Sequence, residues 1–132
     1  MTDNLTTTAQ QMIQFQPSNP VEMERLIYEA NKLLEQMPDV LLEINGRRYE
    51  AERNYSRVKN VAIREHHDAG MPVTIARAAA EVDALDAKRQ WDDVRAEYHY
   101  CEDTMKALTT KIHSMLNVNK GVQAAYNTYR GE

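Results

Sequence analysis

From Ala84 to Met115 small or apolar residues recur in alternating steps of three and four: Ala84, Ala87, Trp91, Val94, Tyr98, Cys101, Met105, Leu108, Ile112 and Met115. No proline or glycine interrupts the series. Such a heptad seam predicts one long helix laid against a partner helix. Thr74 suits its N-cap, so the helix is expected from Ile75 to about Asn117. At 1.5 Å per residue that is about 65 Å. A compact chain of this size has a radius of gyration of roughly 14 Å, so the pattern predicts a rod-like molecule.

Upstream, Asn19 suits an N-cap, Pro20 the first helical position and Glu22 the third, a capping box. Met23, Leu26, Ile27, Ala30, Leu33, Leu34 and Met37 then form one apolar face. Pro38 is expected to end this helix near Gln36, because the residue before a proline avoids the helical region. A second helix is expected from Pro38 to Ala69, with the seam Leu41, Ile44, Arg48, Ala51, Tyr55, Val58 and Ala62. Gly46 lies inside it at a cost of roughly 1 kcal/mol relative to alanine, and reads as a close approach or a bend. Gly70 and Pro72 mark a tight reversal over residues 66–74. Residues 1–18 are rich in Thr and Gln and read as a flexible arm, with Met12, Ile13 and Phe15 as anchors. Asn119, Lys120 and Gly121 close the long helix, and 121–132 form a short C-terminal helix or tail. The expected fold is therefore all-α: a long antiparallel, coiled-coil-like helical hairpin over 19–120 with a shorter N-terminal helix packed on it, a three-helix bundle.

Charge supports the hairpin. Residues 47–64 carry Arg47, Arg48, Arg53, Arg57, Lys59 and Arg64, while residues 81–93 carry Glu81, Asp83, Asp86, Asp92 and Asp93. Folding one onto the other pairs opposite signs. Each exposed pair contributes only about 0–1 kcal/mol, but together they select register. The formal net charge of −4 over 132 residues argues against a general nucleic-acid binder. No apolar run approaches the roughly 20 residues of a membrane span, and no leader opens the chain. The host cytoplasm is the expected location.

Candidate chemistry is thin. Cys101 is the single cysteine and falls on the seam, which reads as a buried small residue. His66 and His67 are adjacent and point about 100° apart on a helix, which disfavours chelation of one ion. His99, Glu102 and Asp103 share a turn but lack the second motif of a helical di-metal site. No glycine-rich phosphate loop and no oriented nucleophile are present, so neither catalysis nor a metal or cofactor is expected. Two sets of residues remain. Arg47, Arg48, Arg53 and Arg57 with Tyr49 and Tyr55 are candidates for phosphate and base contact. Ile13, Phe15, Tyr100, Tyr126 and Tyr129 are candidate interface residues.

Residues 33–116 resemble a loose group of small phage-encoded proteins found among recombination and replication genes. The resemblance rests on LLEINGRRYEAERNYSRVK, the turn HDAGMPVT and the helix end KALTTKIHSML. It implies a phage accessory protein, with no functional residue to carry over. The first expectation is a non-enzymatic interaction protein that forms a homo-oligomer and binds a host or phage protein. Alternatives are an inhibitor of host defence that blocks a protein or sequesters a nucleotide signal, a single-strand nucleic-acid accessory, and a virion structural protein.

Overall fold

A computed structural model describes residues 2–129 of the chain, in four helices with no strand among them. These are α1 (Thr2–Gln14), α2 (Pro20–Asp68), α3 (Val73–Asp83) and α4 (Leu85–Tyr129). The all-α expectation holds, and four helices replace the three expected. Met1 and residues 130–132, parts of the expected arm and tail, lie outside the described residues. The contacts fall into two units: Met1–Val40 with Cys101–Glu132, and Leu41–Tyr100.

In the first unit the expected flexible arm is instead the helix α1. Its threonines are poor helix formers, but Leu5, Ala9 and Met12 follow steps of four and three and make an apolar stripe. Ala9 is buried in a cluster with Leu26, Ala30, Leu33, Leu108, Ile112 and Met115, and Leu5, Met12 and Ile13 pack around it. Burial outweighs the propensity of the isolated sequence. Hydroxyl groups are satisfied locally, as where Thr8 Oγ1 donates to Asn4 O at 2.8 Å. Across the unit, Gln10 Nε2 donates to Thr104 Oγ1 at 3.2 Å. Lys111 Nζ donates to the carbonyl oxygens of Ile13 and Phe15, so a cation from α4 caps the C-terminal end of α1.

α2 opens as expected at its N-cap: Asn19 Oδ1 accepts from Glu22 N–H at 2.9 Å. The Glu22 carboxylate reaches one residue further back than a standard capping box. It accepts from both the N–H and the hydroxyl of Ser18 at 2.8 Å, which holds the Glu22 carboxyl below its ordinary range. The expected stop at Pro38 does not occur, and α2 runs through it. Met23, Leu26, Ala30, Leu33, Met37 and Val40 keep the seam in register past the proline, while Pro38 itself faces solvent. Proline at 38 removes the N–H that would have bonded the carbonyl of Leu34, and its ring sits on the exposed side of the helix.

In the second unit α2 ends in a Schellman turn. Gly70 N–H donates to His67 O at 3.0 Å and Met71 N–H to His66 O at 3.1 Å. Gly70 has φ +102°, the left-handed region that glycine reaches without strain. The chain then returns antiparallel, since Arg47 contacts Glu97, Tyr55 contacts Trp91 and Lys59 contacts Glu81. The expected single helix from Ile75 is interrupted at Ala84, with φ −93° and ψ 7°. Helical bonding spans the interruption, from Ala84 N–H to Ala80 O and from Lys88 N–H to Ala84 O, both at 2.9 Å. Neither proline nor glycine marks the position in the sequence. At the other end, α4 passes through Gly121 to Tyr129, so the expected separate tail helix is its continuation.

Candidate interaction surfaces

The arginine stretch of α2 divides by side. Arg48 is at a seam position in the second unit, with its guanidinium over the Tyr98 ring at 4.4 Å and near Tyr49 at 5.2 Å. Arg47 makes a two-pronged bond to Glu97 at 2.8 and 3.1 Å. Arg53 pairs with Glu50 at 2.7 Å and Arg57 with Asn54 at 2.8 Å, both on their own helix. Of the expected opposed charges, Lys59 with Glu81 joins the two stretches; Arg47 reaches Glu97, beyond the acidic stretch, and Asp83 is met by His66, beyond the basic one. Arg53 and Arg57 bond along α2 instead, and Asp86 and Asp92 bond to Arg89 and Arg95 on α4.

Tyr55 is half-buried and stacks on Trp91 at 5.5 Å. Its hydroxyl donates to Glu81 at 2.9 Å, and Lys59 reaches the same carboxylate at 2.6 Å. The Lys59 ammonium, then the Tyr55 hydroxyl, holds the Glu81 carboxyl below its ordinary range, and Glu81 in turn raises both partners. Of the six candidate phosphate-contacting residues, Arg48 and Tyr55 therefore lie half-buried at seam positions, while Arg47, Tyr49, Arg53 and Arg57 are exposed.

His66 Nε2 lies 2.6 Å from Asp83 Oδ2, and His67 Nδ1 lies 3.2 Å from Met71 O. Among the described residues no group of three or more His, Cys, Asp or Glu side chains gathers as a metal site. Cys101 is buried. No helix among the described residues is long and apolar enough to cross a membrane.

A further surface, not among the expected site residues, lies on α3 and the first turn of α4. The inward positions are alanines, with Ala76, Ala80 and Ala84 each 0% exposed. The large apolar residues are outside: Ile75 is 55%, Val82 65% and Leu85 52% exposed. With Ala78 they form a stripe at steps of three, four and three. Met71 and Val73 add to the apolar surface at the same end of the unit. The signal was present as a second apolar period, out of phase with the alanines. In sequence it is masked, because alanine at heptad spacing reads as a core position by itself.

The candidate interface residues fall in both units. Tyr100 is exposed in the second. In the first, Ile13 is half-buried against the chain's own core. Phe15 is exposed at the edge of a groove of about 400 Å³, lined also by Met12, Leu26, Arg25 and Glu29. Tyr126 and Tyr129 are exposed on the end of α4. Comparison with protein-family models, curated proteins and solved structures found no match to this chain.

Proposed function

We propose that this chain is a non-enzymatic interaction protein that presents an apolar helical stripe to a protein partner. The observation that carries the reading is the inversion on α3. A helix that only had to bury its own face would place Ile75, Val82 and Leu85 inward and the alanines outward. The reverse arrangement leaves large apolar side chains in water, and contiguous exposed apolar surface marks interaction sites. The reading includes the long antiparallel, coiled-coil-like pairing of α2 with α3 and α4 as the frame that holds this stripe. On the resemblance of residues 33–116, it extends to a phage accessory protein acting in the host cytoplasm. The bonds that Arg47, Arg53 and Arg57 make within the chain favour a protein partner over a phosphate-bearing one.

The test is a comparative pull-down with tagged wild type and the double variant Ile75→Asp, Val82→Asp. Both positions are exposed, so the variant keeps its helical circular dichroism. Loss of a co-purifying protein from the variant is expected. An identical set of proteins on both baits overturns the reading.

A further inference from the structure

The seam of α4 does not end where its burial ends. Leu108, Ile112 and Met115 are followed, without a break in the steps of four and three, by Asn119, Val122, Tyr126 and Tyr129. The first three are 1%, 3% and 6% exposed. Val122, Tyr126 and Tyr129 are 46%, 55% and 91% exposed. The register is the same and the burial is opposite. The stripe continues an interface the chain already uses, into a segment beyond the core cluster that α1, α2 and α4 build among the described residues.

We propose that a second copy of this chain covers the stripe, with the two α4 ends paired antiparallel about a two-fold axis near Ala124. Antiparallel helices meet in layers that join one seam class of each strand to the other class of its neighbour. With the axis there, Val122 faces Tyr126 of the second copy and Asn119 faces its Tyr129, each layer occurring twice. Small meets large in one kind of layer, and an amide meets a phenol in the other. A polar residue at a seam position fixes register and orientation. Ala125 faces Ala125 across the axis, where a small residue lets the helices approach. Residues 116–129 carry one charged side chain, Lys120, which comes opposite Thr128 and not its own symmetry mate. Two copies therefore meet without like-charge repulsion, and the stripe offers little to select a charged partner. Sliding the pair half a heptad inward would set Tyr129 against Ile112, which α1 and α2 already cover. The contact is self-complementary, as a two-fold interface must be.

This surface is distinct from the α3 stripe, so the two readings fail separately. Sedimentation equilibrium of the full chain is expected to show a dimer forming in the micromolar range. Val122→Asp, which places a charge in the layer, is expected to weaken it by at least about 100-fold. Ala125→Cys is expected to yield a disulfide-linked dimer under mild oxidation, while wild type, whose Cys101 is buried, yields none. A wild type that stays monomeric to about 1 mM overturns the proposal. So does a dimer that survives Val122→Asp, or Ala125→Cys failing to cross-link in a dimer that persists.

Discussion

Gly46 sits on an exposed turn of α2, and a Cβ built there meets no atom within 4 Å. No neighbour makes the close approach expected there. Gly46→Ala is therefore expected to stabilise the protein by roughly 0.8–1 kcal/mol, read as a higher midpoint in urea. Gly70 also has open space around it, but its φ of +102° is unfavourable for an L side chain. Gly70→Ala is expected to destabilise by about 1 kcal/mol in the same titration, with a cost similar to that of moving alanine into the left-handed region. The role of Gly70 was legible because a glycine followed closely by proline after a helix has one common meaning. The role of Gly46 was not, because a helical glycine looks the same in sequence whether a neighbour approaches it or nothing does.

At the scale of elements, two departures from expectation, at Pro38 and in α1, share a cause: burial outweighed a local signal. Pro38 breaks isolated helices, yet apolar positions keep their period on both sides of it, from Met23 to Val40. That continuity was the sequence signal for an unbroken α2, and it carried more weight than the proline. Pro38→Ala restores the missing hydrogen bond without altering the buried face. It is expected to stabilise by up to about 3 kcal/mol, measured as a raised thermal midpoint. An unchanged or lowered midpoint would mean that the proline relieves some other strain in α2. α1 is the same case with β-branched threonines in place of proline. Its stripe of Leu5, Ala9 and Met12 is short and sparse, so only the structure shows that Leu108 and Ile112 are there to receive it. The turn at Ala84 has no counterpart in the pattern, which runs through it unbroken.

For the molecule as a whole, charge sets how stability responds to pH. Glu22 and Glu81 titrate below their ordinary value of 4.5 in the folded chain, through bonds from Ser18 and from Lys59 with Tyr55. A depressed carboxyl contributes stability that is present above the unfolded value and lost as pH falls through the folded one. Stability is therefore expected to drop as pH falls below 4.5, and Glu81→Gln is expected to flatten that acid limb in urea titrations taken at successive pH values. On the alkaline side Lys59 is raised by Glu81, so its contribution fades as pH climbs beyond 10.5. Lys111 is lowered by burial and works in the opposite direction there. The helical class and the turn at Gly70 were readable from periodicity and from the glycine–proline spacing. The partners of individual arginines were not, since the sequence offers Arg53 and Arg57 both the acidic stretch 81–93 and the partners they take on their own helix, Glu50 and Asn54. That same turn has a consequence for how the chain folds. It brings His66 to Asp83 and Lys59 to Glu81, 17 and 22 residues apart, whereas joining α1 to α4 closes a loop of 94 residues between Gln10 and Thr104. Short loops close at lower entropic cost. The second unit is expected to form early, zipping outward from Gly70, with the closure of α1 onto α4 coming last. Truncating Ala80 should then slow folding, and truncating Leu5 should speed unfolding, in stopped-flow chevrons.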